Sequence, residues 1–227
     1  MSEEELYQEI FDAIMSRQLP PGTKLTEVTL CEIFGVKRNA LRKVLTQLAS
    51  KKMVELHFNR GAFVATPTVD EARDTFEVRR VLETAVVAKM AGQSPKPQLG
   101  TLRNLVKEER QCFHDKDYPG WVRRSLDFHN RLVELSGNQV MVEYVQNLVL
   151  RYPLISALYD PRSSNCCSFD EHDAILDAIE SGNATLAVQC MTSHLGMVEH
   201  KLNLMGAEPA VSLEHVFRSR TVQTQPD

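Results

Sequence analysis

Leu6, Ile10 and Ile14 recur at the spacing of one helical face in an otherwise polar opening, and Ser2 with Glu5 forms a capping-box pair. This pattern predicts a first helix over about 3–17. "LPPG" (19–22) ends it, because two prolines and a glycine cannot continue a helix. "TEVTLCEIFG" reads as a short second helix, capped by Thr26 and stopped at Gly35. A third runs on to about Ser50. At about 100° per residue it sets Leu41, Val44, Leu45 and Leu48 on one side and Asn39, Arg42, Lys43 and Thr46 roughly opposite, with Arg38 at the edge. "MVELHF" and "AFVAT", joined by "NRG", read as a β-hairpin. Helix, helix, turn, helix and hairpin in some 65 residues spell a winged helix-turn-helix, expected as a first domain over 1–66.

"TPTVD" (66–70) is the expected boundary, with Pro67 as punctuation and Thr68 plus Glu71 as the next capping box. Beyond it the periodicity is helical: about 69–91, 97–115, 120–135, 139–158, 169–181 and 184–205. Gly92, "SGN", Gly182 and Gly206 are stops, and Ser168 with Glu171 boxes the fifth helix. Long amphipathic helices with short links predict an antiparallel all-α bundle over 67–206. The fold class is therefore mainly α. The tail, 207–227, is polar at its end and expected to fray.

Composition adds one contrast. The 227 residues carry a net charge of −4, yet "GVKRNALRKVL" (35–45) holds four positive side chains and no negative one. Such a patch on an acidic chain points to a polyanion. No apolar run approaches the ~20 residues of a membrane span, and the acidic start is unlike a signal peptide, so the expectation is a cytoplasmic protein with no membrane partner. Five cysteines (Cys31, Cys112, Cys166, Cys167, Cys190), odd in number and without a C-x-x-C pair, read as reduced structural thiols. Adjacent Cys166 and Cys167 are the alternative, a redox-sensitive pair.

In a helix-turn-helix the second helix enters the major groove of double-stranded DNA and its first residues reach base edges. Arg38, Asn39, Arg42 and Thr46 project from that end and face, while Lys37, Lys43 and the wing residue Arg60 suit phosphate contacts. Gly61 lets the wing backbone come close. The alternative is an ordinary solvated helix face. The stretch from "LPPGTKL" to "NRGAFV" resembles the DNA-binding half of the GntR regulators, whose usual pattern is P-G-x-x-L, G-V-S-R-T-P-V-R and an N-R-G wing. Here Lys37 stands in the place of the serine and Asn39-Ala40 in that of threonine-proline, which removes a helix cap and a preset first turn.

In the second domain "SLDFHNRLVELSGN", "DEHDAILDAIESGN" and "MTSHL" each hold a histidine on an expected helix. A lone helical histidine is commonly a hydrogen-bonded core residue; three on separate helices of one bundle suit a shared site. The stretches resemble the FCD-type effector domain of the FadR branch of the GntR family. By that resemblance His129, His172 and His194 take the three histidine-ligand positions, and the fourth, usually Asp or Asn, holds Ser125. Asp127 points away from the face of His129, and Cys190 lies one turn before His194. Three imidazoles favour a divalent metal of the Zn or Ni type; the competing view is a metal-free pocket in which they bond the effector directly. Arg79 matches the arginine that this domain class aims at a carboxylate, with an exposed pair to Glu83 as its alternative. The resemblance thus implies a sequence-specific transcription regulator, homodimeric on its operator, controlled by a small carboxylate metabolite. A metal-ion sensor and a histidine-metal enzyme are the other readings.

Overall fold

The computed structural model describes residues 1–93, 96–160, 168–202 and 204. Cys166, Cys167 and the tail 207–227 lie outside them. The chain begins with α1 (Glu3–Met15), β1 (Lys24–Leu25), α2 (Glu27–Phe34), α3 (Arg38–Ser50), β2 (Val54–His57) and β3 (Gly61–Val64). The strands form one antiparallel sheet in the order β1-β3-β2. The two-residue β1 escaped the sequence pattern, since so short a strand has no periodicity to read. Ser2 caps α1 with the full capping box, whereas Thr26 begins α2 without a side-chain cap bond. Gly35 closes α2 at φ 64°, a left-handed conformation that glycine adopts without a Cβ clash.

The apolar faces of α1 and α3 meet over the sheet: Leu6, Ile10 and Ile14 pack with Leu41, Val44, Leu45, Leu48, Met53, Val54 and Val64. This leaves Asn39, Arg42, Lys43 and Thr46 exposed on the opposite side of α3. One further member of this core, Leu154, comes from far along the chain.

After the second capping box at Thr68 and Glu71 come α4 (Val69–Gly92), α5 (Lys96–His114), α6 (Tyr118–Leu135), α7 (Gln139–Val149), α8 (Tyr152–Tyr159), α9 (Ser168–Glu180) and α10 (Ala184–Lys201). They pack as a bundle whose core draws on Val86, Val87 and Met90 of α4, Leu102 and Val106 of α5, and Phe128 and Leu132 of α6. Val145, Ile175, Leu176, Met191 and Leu195 complete it from α7, α9 and α10.

Three expectations are corrected. The single helix expected over 139–158 is two, α7 and α8, because Pro153 has no N–H to offer the carbonyl of Val149 and its ring would collide with it. The last helix ends at Lys201, short of 205. Ser168 and Glu171 do not form a capping box: Ser168 is already helical, and both side chains are committed elsewhere.

The break frees α8 to turn toward the winged head. Leu154 is buried in the head's core, and Ser156 Oγ accepts a hydrogen bond from Arg17 Nη2 of the head at 2.9 Å. Tyr159 donates its hydroxyl to the carbonyl of Pro67 between the two halves, at 2.8 Å. Truncation at a buried leucine removes its transfer energy and leaves a cavity. Leu154→Ala should therefore lower unfolding stability by about 2–5 kcal/mol, read by urea denaturation.

Candidate functional site

The first candidate surface is the exposed side of α3 with the β2–β3 turn. Arg38, Asn39, Arg42 and Lys43 are exposed, as are Arg60 and Gly61 in the wing. An open groove between α3 and the wing is lined by Arg38, Arg42, Thr46, His57, Phe58 and Gly61, among others. Lys37 precedes α3 and its side chain makes no cap bond, as the missing serine predicts. Lys43 pairs with Glu3 at 2.9 Å, and both are exposed. Thr46 donates its hydroxyl to the Arg42 carbonyl at 2.8 Å and so faces the groove as an acceptor. Arg60 lies over the ring of Phe63, 5.8 Å from its centroid. Two residues outside the expected set belong to this surface. Phe58 is 91% exposed at the wing tip, and Glu27 touches both Arg38 and Arg42.

The second candidate lies inside the bundle. His129 of α6, His172 of α9 and His194 of α10 are all buried, and they come together. His194 Nε2 is 3.3 Å from His172 Nε2 and 3.2 Å from His129 Nε2. Each ring's other nitrogen donates to a carboxylate. His129 Nδ1 reaches Glu83 at 2.5 Å, His172 Nδ1 reaches Glu109 at 2.7 Å, and His194 Nδ1 reaches Glu171 at 2.6 Å. With the protons held at Nδ1, three lone pairs face one another, an arrangement that suits a shared cation.

Imidazoles bound to a tetrahedral metal at about 2.0–2.1 Å stand about 3.3 Å apart, and metal-binding histidines commonly bond a carboxylate through the other nitrogen. The donor set and its spacing therefore fit a divalent ion of the zinc type. Burial pushes the His129 imidazole down to about 3, against the pull of Glu83. His194 is likewise pushed down to about 4 by burial, against Glu171. Both are neutral at pH 7, as ligation requires. Ring orientation is held further by Phe128, stacked on His172 at 4.0 Å between centroids.

A cavity opens beside these rings, lined by Arg79, Trp121, Ser125, His129, Tyr152 and His194, with Asp160, Ser168 and Lys201 also in its wall. Arg79 is not the exposed partner of Glu83 that one reading expected. It is 2% exposed, and its Nε donates to Glu83 Oε1 at 2.7 Å. Its Nη2 has no hydrogen-bond partner among the described residues. Burial alone would raise the Glu83 carboxyl, but Arg79 and His129 outweigh it and hold it well below the usual carboxylate range. Ser125 is half-buried in the cavity wall. Asp127 pairs with Arg124 instead, and Cys190 is not among the grouped ligand atoms but packs against the bundle core.

Sequence reasoning missed the carboxylates behind the rings. Glu109 gave no local signal, because it meets His172 only through the packing of α5 on α9. Glu171 stands at cap spacing from Ser168, yet its carboxylate goes to His194. A relay joins the same residues to the cavity: Trp121 Nε1 donates to Ser168 Oγ at 3.2 Å, and Ser168 donates to Glu109 at 2.5 Å.

Residues 74–197 match the family model of the FCD domain, and residues 2–64 that of bacterial regulatory proteins, gntR family. Among named relatives, the Uxu operon regulator of Haemophilus influenzae is 28% identical over 202 residues, covering 80% of this chain and 74% of that protein. The HTH-type transcriptional regulator LutR of Bacillus subtilis is 26% identical over 212 residues, covering 84% and 96%. In fold the chain is similar to a GntR regulator from Rhodococcus sp. RHA1, with a TM-score of 0.78 at 24% identity, over 91% of this chain and 99% of that one. No described helix is long and apolar enough to cross a membrane.

The depressed histidines set a pH response. Unfolded chains bind protons at histidine from about pH 6.5 downward, while His194 refuses them until about 4 and His129 until about 3. Stability is then lost as pH falls through that window, and the lowered Glu83 adds to the loss in the same direction. With a chelator present, urea midpoints should fall steadily between pH 6.5 and 4, and His129→Gln should flatten the slope.

Proposed function

The chain belongs to the GntR family of bacterial regulatory proteins and carries an FCD domain, and on that premise we propose that a small carboxylate, bound with a divalent metal in the helical bundle, controls its affinity for an operator. One observation carries this reading. The buried Arg79 has an Nη2 without a partner and lines the same cavity as His129 and His194, whose Nε2 atoms converge with that of His172. An arginine fork matches a carboxylate, and an unpaired buried donor costs folding energy that an acid would recover.

His129, His172 and His194 would hold the metal, with Ser125 at the cavity wall where the family's fourth ligand usually stands. The ion, when bound, supplies a positive centre that attracts an acid group. Arg79 bonds and orients that group, and Trp121 and Ser168 shape the opposite wall. Arg38, Asn39, Arg42 and Thr46 read bases, while Lys37, Lys43 and Arg60 hold phosphates and Gly61 keeps the wing close. A homodimer sets two heads on two half-sites, a role for which the exposed apolar pair Val78 and Val81 on α4 is suited. The regulator works in the cytoplasm, where its operator lies.

Control passes by population shift. Tyr152 and Asp160, at the two ends of α8, line the cavity, whereas Leu154 and Ser156 of that helix engage the head. Phe76 packs edge-on against Tyr152 and also carries the Arg79 guanidinium over its ring, 5.7 Å from the centroid. An acid drawn to Arg79 therefore presses on the helix that seats the head.

Thermal-shift screening against small carboxylic acids tests the ligand: an acid that binds only the folded protein raises the melting temperature. That shift should vanish in Arg79→Lys, which keeps the charge and loses the fork; no acid shifting the wild type would overturn the reading. Elemental analysis of purified protein should find about one zinc or nickel per chain, lost in His172→Ala; equal content in both would leave the histidines to the ligand alone.

A further inference from the structure

Glu27 opens α2, and its carboxylate reaches across to the first two turns of α3. Arg38 donates its Nε to Oε2. Arg42 donates its Nε to both oxygens, at 3.0 Å to Oε1 and 3.1 Å to Oε2. Exposure rises outward: the Glu27 side chain is 20% exposed, those of Arg38 and Arg42 are 65% and 57%. The carboxylate is thus the inner member of the cluster, and the guanidinium ends are the outer ones.

A guanidinium has five N–H donors, and engaging Nε leaves the four on Nη1 and Nη2. Those two nitrogens are the edge that can meet O6 and N7 of a guanine together. Both arginines line the groove between α3 and the wing, with Thr46, His57 and Gly61. A carboxylate in such a groove works against binding, since it repels the phosphates the surface must meet. Folding does not explain it, because solvent-exposed ion pairs add little to stability. A helix N-terminus favours any acid, but that preference does not require contact with two arginines of another helix.

We propose that Glu27 is a positioning residue for sequence reading, which holds Arg38 and Arg42 with their Nη edges toward the bases and weakens binding to duplexes of no particular sequence. This rests on the base-reading role given above to the two arginines. Without Glu27, each guanidinium is free to swing to the nearest phosphate. Binding then becomes tighter to DNA at large and less selective among sequences.

The test uses the full-length protein. A duplex enriched from a random pool by the wild type serves as operator, and a scrambled duplex as control. Affinities for both are measured by fluorescence anisotropy over a range of salt for wild type, Glu27→Gln and Glu27→Ala. Each variant should bind the scrambled duplex several-fold more tightly with a steeper salt dependence, and the operator-to-scrambled ratio should fall about tenfold or more, the scale of one good bidentate base contact. Glu27→Gln puts a neutral amide of the same shape in place of the carboxylate and carries the test even if Glu27→Ala folds poorly. An unchanged ratio and an unchanged enriched sequence would overturn the clamp while leaving base reading intact. No enriched sequence with the wild type would overturn base reading itself, and the clamp with it.

Discussion

Glu83 is the group around which the bundle's interior is organised. It is wholly buried on α4 and accepts from Arg79 through one oxygen and from His129 through the other. A carboxylate removed from water is tolerated only with such partners, and loss of Arg79 would strand its charge. The two bonds fix consequences in opposite directions along the molecule. One turns the His129 ring so that its free nitrogen faces His172 and His194. The other occupies the inner edge of Arg79 and leaves the outer edge to the cavity. One acid thus ties the His129 ring to the Arg79 fork, while Glu109 and Glu171 hold the other two rings.

The same division of labour recurs at the surface. Glu27 stands behind two arginines as Glu83 stands behind one, and in both places an acid engages Nε. The difference is dielectric. Within the bundle the pairing is needed for the charge to be buried at all, whereas at the exposed head it adds little to folding and its value lies in direction.

The head was largely legible because its signals are local: a capping box, a proline-glycine turn, a leucine face and a glycine stop each act within a few residues. The bundle's helices were legible for the same reason, apart from the break at Pro153, where continuous periodicity hid a steric conflict. The three histidines came from their motifs and family likeness. What supports them did not. Glu109 meets His172 across 63 positions of chain and Glu83 meets His129 across 46, and no periodicity encodes such pairings. Ser168 and Glu171 misled because the spacing of a helix cap is also a spacing from which two side chains can leave in different directions.

Leu154 belongs by sequence to one half of the chain and by packing to the other. A regulator of this build is therefore less modular than a head joined to a sensor by a tether. A foreign head grafted onto this bundle would need a socket shaped for that leucine and an arginine placed for Ser156, so exchanges of the head between relatives should carry α8 with it.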